Sequence, residues 1–336
     1  MRGIGFAAAL TLLAAAGCNE YELRDTEHLE VFHQDPSAAV DILFVVDDSP
    51  SMVQEHQKVI DAFDAFIGEV VESDTEYHLG VTTTDMDDNG GGLLIGEPAY
   101  LTPETNGGDV APVFMEKIHA VGTDGSGWER GLQAAKRALF DSPAGVGDTA
   151  NAGFLRGDAD LALIVVSDEN DCSDEGNLPQ QDQLECYEHD DLLVPVIDYI
   201  HAYRGLKGDD ELAVTFSAIV GPPGVQTCAD TVPGRRYLTA AQELQGVTGD
   251  ICDPDFHEAM REAGLASTGV RTAFELEAYP DATTLEVWID QQPVAEDPEE
   301  LDGWSYRLED NAVHFWGDAV PPRGSTVKVH YWTGGG

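Results

Sequence analysis

Two unbroken apolar runs constrain this chain more than any other feature. Ile42-Leu-Phe-Val-Val46 stops at Asp47-Asp48-Ser49-Pro50-Ser51, and Leu161-Ala-Leu-Ile-Val-Val166 stops at Ser167-Asp168. A strand that is apolar at every position is buried on both faces, as a central strand of a parallel sheet is. Helical spacing follows the first run at Val53, Val59, Ile60, Phe63, Phe66, Ile67 and Val70. The acidic and hydroxyl side chains therefore occupy a strand-to-helix turn, the place where open α/β sheets bind ligands.

The alternation continues along the chain. Tyr77–Thr84 reads as a strand, and Leu132, Ala135 and Leu139 mark an amphipathic helix with Trp128 at its start. A helix over Leu192–Leu206, a strand over Ala213–Val220, and helices over Tyr237–Leu244 and Phe256–Leu265 follow. The expected fold is α/β, with a doubly wound, mostly parallel sheet over residues 38–271. Residues 272–336 differ. Phe274/Leu276, Leu285/Val287/Ile289, Val313/Phe315 and Val327/Val329/Tyr331 alternate with polar residues at period two, which predicts a small antiparallel β module, a sandwich. Trp288, Trp316 and Trp332 fall on its other face, positioned to dock on the first domain or to contact a glycan or partner.

Short oxygen side chains at the end of a buried strand suit a hard cation such as Mg²⁺. Asp47-x-Ser49-x-Ser51 in that position resembles the metal-ion-dependent adhesion site of von Willebrand factor A (vWA) domains. The resemblance covers the stretch from Val40 to about Val270. It implies a further hydroxyl ligand from the loop Val121-Gly-Thr-Asp-Gly-Ser-Gly127, at Ser126 or Thr123. It also implies a water-mediated contact from Asp168, where Val-Val-Ser-Asp168-Glu resembles the family's strand ending in Thr-Asp-Gly. The implied cofactor is a divalent cation, foremost Mg²⁺ with Mn²⁺ or Ca²⁺ as alternatives, and the implied partner is a protein offering a carboxylate. A helix cap by Ser49 or Asp47, and plain turn chemistry at Thr123 and Ser126, are the alternative readings.

Met1–Cys18 carries Arg2, an apolar stretch from Ile4 to Ala16, and Ala15-Ala-Gly-Cys18. This is similar to a bacterial lipoprotein signal, with Cys18 as the lipidated residue; an ordinary secretory peptide cut nearby is the alternative. Residues 19–37 are acidic without sustained periodicity and are expected to form a tether. The protein is thus expected in the cell envelope, exported and held by its lipid. Of five cysteines, Cys172, Cys186, Cys228 and Cys252 remain for disulfides, and pairing Cys172–Cys186 and Cys228–Cys252 brackets one irregular segment each. A formal net charge of −46 excludes nucleic acid and anionic membrane surfaces as partners.

Asp85-Met-Asp-Asp-Asn-Gly90 copies half a calcium loop, but Gly96 stands where the closing Glu belongs, so a solvated acidic loop is expected. No G-x-S-x-G, H-E-x-x-H or Walker loop occurs, and His257-Glu258 lacks a second histidine, so no enzyme is expected. The alternative to a cation-dependent binding protein is a metal-free scaffolding lipoprotein of an envelope assembly.

Overall fold

The computed structural model describes residues 26–34, 38–87, 91–140, 151–179, 182–208, 212–224, 228 and 231–334. The lipoprotein-like segment with Cys18 lies outside them. In chain order the elements are β1 (Thr26–His33), β2 (Ala39–Val46), α1 (Val53–Glu72), β3 (Glu76–Thr83), β4 (Tyr100–Leu101), α2 (Ala111–Val121), α3 (Gly131–Phe140), β5 (Asp160–Ser167), α4 (Gln183–Glu188), α5 (Val196–Gly205), β6 (Val214–Val220), α6 (Arg235–Glu243), β7 (Gln245–Asp250) and α7 (His257–Ser267). The remainder is β8 (Ala273–Glu275), β9 (Glu286–Ile289), β10 (Gln292–Pro293), β11 (Gly303–Arg307), β12 (Ala312–Trp316) and β13 (Thr326–Thr333). Among these residues no helix is long and apolar enough to cross a membrane.

The first apolar run does form the middle of a six-stranded sheet of order β4-β3-β2-β5-β6-β7. All its pairings are parallel except that of β4. Period two sends alternate residues of β2 to opposite faces. Ile42, Phe44 and Val46 join a core with Phe63, Phe66, Phe114 and Met260 of α1, α2 and α7, and Leu43 and Val45 join another with Leu132, Tyr199 and Tyr237 of α3, α5 and α6. Phe44 meets Phe66 at 5.1 Å and Phe114 at 5.2 Å, both edge-on, the favoured aromatic geometry.

Register places the site. Val46 stands opposite Thr83 on one side and Val166 on the other, so three strands end level with one another. The chain goes from β2 to one neighbour, β3, and later to the other, β5. The crevice at that reversal is where such sheets bind ligands.

The second unit has two sheets, β1-β13-β9-β10 and β11-β12-β8, which share one core of Phe274, Leu285, Val287, Trp304, Val313, Phe315, Val327, Val329 and Tyr331. Phe32 of the first sheet meets Phe274 of the second at 5.2 Å, so the sheets face each other. Trp316 is held within this unit by Ser305 (3.0 Å) and by the Arg307 guanidinium 4.8 Å from its ring. The seam with the α/β unit has polar contacts from elsewhere: Arg323 donates to the carbonyls of Ser73 (2.7 Å) and Thr268 (2.8 Å), and Gln34 to that of Arg271 (2.8 Å).

Two expectations are corrected here. The tether expected over residues 19–37 is not one from Thr26 onward, because Thr26–His33 pairs along its whole length with β13. Its inward positions are His28, Glu30 and Phe32. His28 stacks on Tyr331 at 4.9 Å, and Glu30 accepts the Tyr331 hydroxyl proton, so polar residues take the place of the apolar alternation that would have revealed a strand. The helix expected from Leu192 begins at Val196, since Pro195 keeps the residue before it extended.

Candidate metal centre

Asp47 is the first residue beyond β2, and its amide still donates to Val166 at 3.0 Å. Its carboxylate is wholly buried. One oxygen accepts the Ser49 amide (2.8 Å) and the other the Ser167 hydroxyl (2.6 Å). The Asp47 carbonyl lies 2.7 Å from His56 Nε2, which ties the turn to α1. Ser49 begins a short 3₁₀ turn over Pro50–Met52, yet its side chain caps no amide. Its hydroxyl lies 3.0 Å from that of Ser51 instead, so this position of the motif is not a helix cap.

The loop from the helix-preceding segment folds over Asp48. The Gly125 amide donates to the Asp48 carbonyl at 2.8 Å, and a Cβ at Gly125 would run into the Asp48 carboxylate and force it to move. Ser126 spends its hydroxyl on the Trp128 amide (2.9 Å), as turn chemistry predicts, and Thr123 is half-buried in the same loop. Asp168, 4% exposed, sits close enough for its charge to act on Asp47. In the half-calcium loop Asp87 pairs with Arg130 at 2.7 Å, and Asp88–Gly90 lies outside the described residues.

Sequence reasoning missed the residue that completes the cluster. Glu129 is 0% exposed, and its carboxylate oxygen lies with those of Asp47 and Asp48, all within 4.8 Å of one another. One Glu129 oxygen accepts the Thr84 hydroxyl; the other, Oε1, is buried with no hydrogen-bond partner among the described residues. Glu129 precedes α3 by two residues, and three elements hold it. Thr84, at the end of β3, accepts the next amide, Arg130, at 3.2 Å, and the Cys172 amide donates to the Glu129 carbonyl at 2.7 Å. Tyr237, Asp171 and Ser173 accept the amides of Gly131, Leu132 and Gln133, which otherwise have no partner at a helix start. No periodic or motif signal marks Glu129; only its place between Trp128 and the apolar helix start hints at burial.

Both expected disulfides are present, Cys172–Cys186 and Cys228–Cys252. Each constrains a segment that touches the centre: Cys172 through Glu129, and Val232, within the second segment, through its amide to the Asp168 carbonyl (2.8 Å).

The electrostatics are unusual for a folded interior. Burial, and then the charge of Asp168, push the Asp47 carboxyl up to about 7. Burial, and then the charge of Asp47, hold Glu129 well above the carboxylate range. Neither forms an ion pair with a basic side chain among the described residues, and neighbouring Arg130 turns away to Asp87 and the Trp128 ring. Buried carboxylates are normally paired or hold a metal. The oxygen set, carboxylates plus the Ser49 and Ser51 hydroxyls, fits a hard divalent cation.

No protein-family model matches the sequence, and no curated protein matches it closely enough to count as a relative. Solved structures do resemble it. A von Willebrand factor type A protein from Catenulispora acidiphila is 14% identical with a TM-score of 0.38, over 94% of this chain and 66% of that one. The pilus adhesin SpaC from Lactobacillus rhamnosus GG is 13% identical with a TM-score of 0.40, over 88% and 39%. Proximal thread matrix protein 1 from the mussel byssus is 14% identical with a TM-score of 0.36, over 69% and 49%. The chain thus spans less than two thirds of each of these three structures.

Proposed function

We propose that this chain is a doubly wound, vWA-type binding protein that uses a divalent cation at the end of β2 to engage a protein ligand, and that it is not an enzyme. The observation that carries this reading is the trio of buried carboxylates Asp47, Asp48 and Glu129, with Glu129 Oε1 left without a hydrogen bond among the described residues. Asp47 and the Ser49–Ser51 hydroxyls would hold the ion, with Asp168 behind them and Ser126 or Thr123 at the rim. The ion would supply a positive point in an otherwise acidic crevice, where an oxygen of the partner, a carboxylate foremost, completes its shell. The two disulfides support export to an oxidising compartment. Anchoring through a lipid on Cys18 in a bacterial envelope belongs to the same proposal, and the mass of the mature N-terminus tests it.

Calorimetric titration of metal-stripped protein with Mg²⁺, Mn²⁺ and Ca²⁺ tests the centre. Wild type is expected to bind one equivalent and Asp47→Ala none. Equal binding by both proteins, or none by either, removes the reading. One observation favours the alternative, a metal-free scaffold: burial pushes the Asp47 carboxyl up to about 7 and holds Glu129 well above the ordinary carboxylate range, so the cluster has a means of shedding charge without an ion. Binding of a partner that survives chelator would select that alternative.

A further inference from the structure

The strand-end motif specifies a single carboxylate, Asp47, whereas the folded centre has three. Asp48 is the unspecified second position of the motif and Glu129 comes from just before α3; both are fully buried. Glu129 is not an adaptable surface acid that happens to drift inward. Its carbonyl is fixed by Cys172, one carboxylate oxygen by Thr84, and the following turn by Tyr237, Asp171 and Ser173. What remains is Oε1, buried and with no hydrogen-bond partner among the described residues, on a carboxylate that groups with those of Asp47 and Asp48. A buried carboxylate oxygen without a donor costs free energy unless something positive meets it.

We infer that Glu129 is a direct ligand of the bound cation and that it makes the centre select Ca²⁺ over Mg²⁺. This inference rests on the metal-binding reading above. Mg²⁺ is small, demands near-octahedral geometry, gives up its waters reluctantly, and is usually held by one or two carboxylates. Ca²⁺ accepts six to eight oxygens in irregular arrangements and is favoured as carboxylates are added. A site of hydroxyls and Asp47 alone suits Mg²⁺. Adding the buried carboxylates of Asp48 and of the firmly held Glu129 moves it toward Ca²⁺, whose larger shell still has positions for the Ser49 and Ser51 hydroxyls and for a partner oxygen.

The test is calorimetric titration of the full chain, stripped with chelator, with CaCl₂ and MgCl₂ separately, for wild type, Glu129→Gln and Asp47→Asn. Wild type is expected to bind Ca²⁺ at least about tenfold more tightly than Mg²⁺, and Glu129→Gln to lose about tenfold for Ca²⁺ and less than about threefold for Mg²⁺. Asp47→Asn is expected to lose both ions. The Gln side chain is isosteric and its carbonyl still accepts from Thr84, so the metal-free variant should melt cooperatively at or above the wild-type temperature. Should it fail to do so, Thr84→Val takes its place, with Ca²⁺ affinity expected to fall at least about threefold through loss of Glu129's support. Mg²⁺ bound as tightly as Ca²⁺ by wild type, or an unchanged Ca²⁺ to Mg²⁺ ratio in the variant, overturns the inference while the metal centre stands. No binding of either ion by wild type overturns both.

Discussion

One strand carries a buried aspartate at each end, and the two are treated in opposite ways. Asp41, near the start of β2, is 0% exposed and surrounded by basic side chains. Arg156 reaches one oxygen through Nε (2.7 Å) and the other through its amide (2.6 Å), Lys207 stands at 3.6 Å, and His78 at 3.8 Å. Asp47, at the strand's other end, is equally buried, yet its most influential charged neighbour is another acid, Asp168. The same residue type at the same depth is thus neutralised by the fold at one end and held ready at the other. The amino end of the strand shows how this protein satisfies a carboxylate when only stability is at stake. The carboxyl end departs from that practice at a sheet crevice suited to a ligand.

The largest effect should come from breaking the satisfied end. Asp41→Ala leaves Arg156 and Lys207 facing a hole, and removal of one partner of a buried pair typically costs about 3–5 kcal/mol. Urea denaturation in the presence of chelator should show that loss. The matching change at the other end, Asp47→Asn, should leave metal-free stability unchanged or raise it, since it removes one of several like charges. Similar losses at both ends would erase the contrast.

A smaller effect follows from pH. The folded Asp47 carboxyl is raised from 3.8 to about 7, so the folded state holds this proton more tightly than the unfolded chain. Its stabilising contribution is complete below the unfolded value and is lost as pH rises through about 7. In chelator, wild type should therefore lose stability relative to Asp47→Asn between about pH 4 and 7, read as the difference between two denaturation series. Parallel series across that window would show that Asp47 is already compensated in the metal-free fold.

The smallest effect should come from a pair open to solvent. Lys136 and Glu175 meet at 2.6 Å with both side chains more than a third exposed. Lys136→Ala should change stability by no more than about 1 kcal/mol, because exposed pairs gain little Coulomb energy in water. A loss as large as that of Asp41→Ala would mean that burial is not what separates these acids.

The expectations that held and those that did not differ in how far apart the responsible residues lie. The strands at Val40–Val46 and Leu161–Val166 were legible because a doubly buried strand must be apolar at each position. The turn at Asp47–Ser51 was legible because polar residues must end such a run. The disulfide pairs were legible because each closes a single irregular segment. β1 was hidden because its partner, β13, is separated from it by nearly the whole chain and its inward places are filled by His28 and Glu30. α2 and β7 were also unread. β7, Gln245–Asp250, contains no large aliphatic residue except Val247.

What the sequence determined by itself, then, is the set of local elements and the end of the sheet at which oxygen ligands collect, since both follow from hydrophobic period and strand termination over neighbouring residues. What only the tertiary structure decided is which carboxylates meet there. Glu129 reaches Asp47 and Asp48 because parallel register ends β2 and β3 level, and because the Cys172 and Thr84 contacts fix the start of α3 beside them. The distance between Asp47 and Glu129 along the chain has no bearing on that meeting. Crossover connections bring them together, and in a low-dielectric interior burial and closeness together raise the affinity of ordinary acids for a proton.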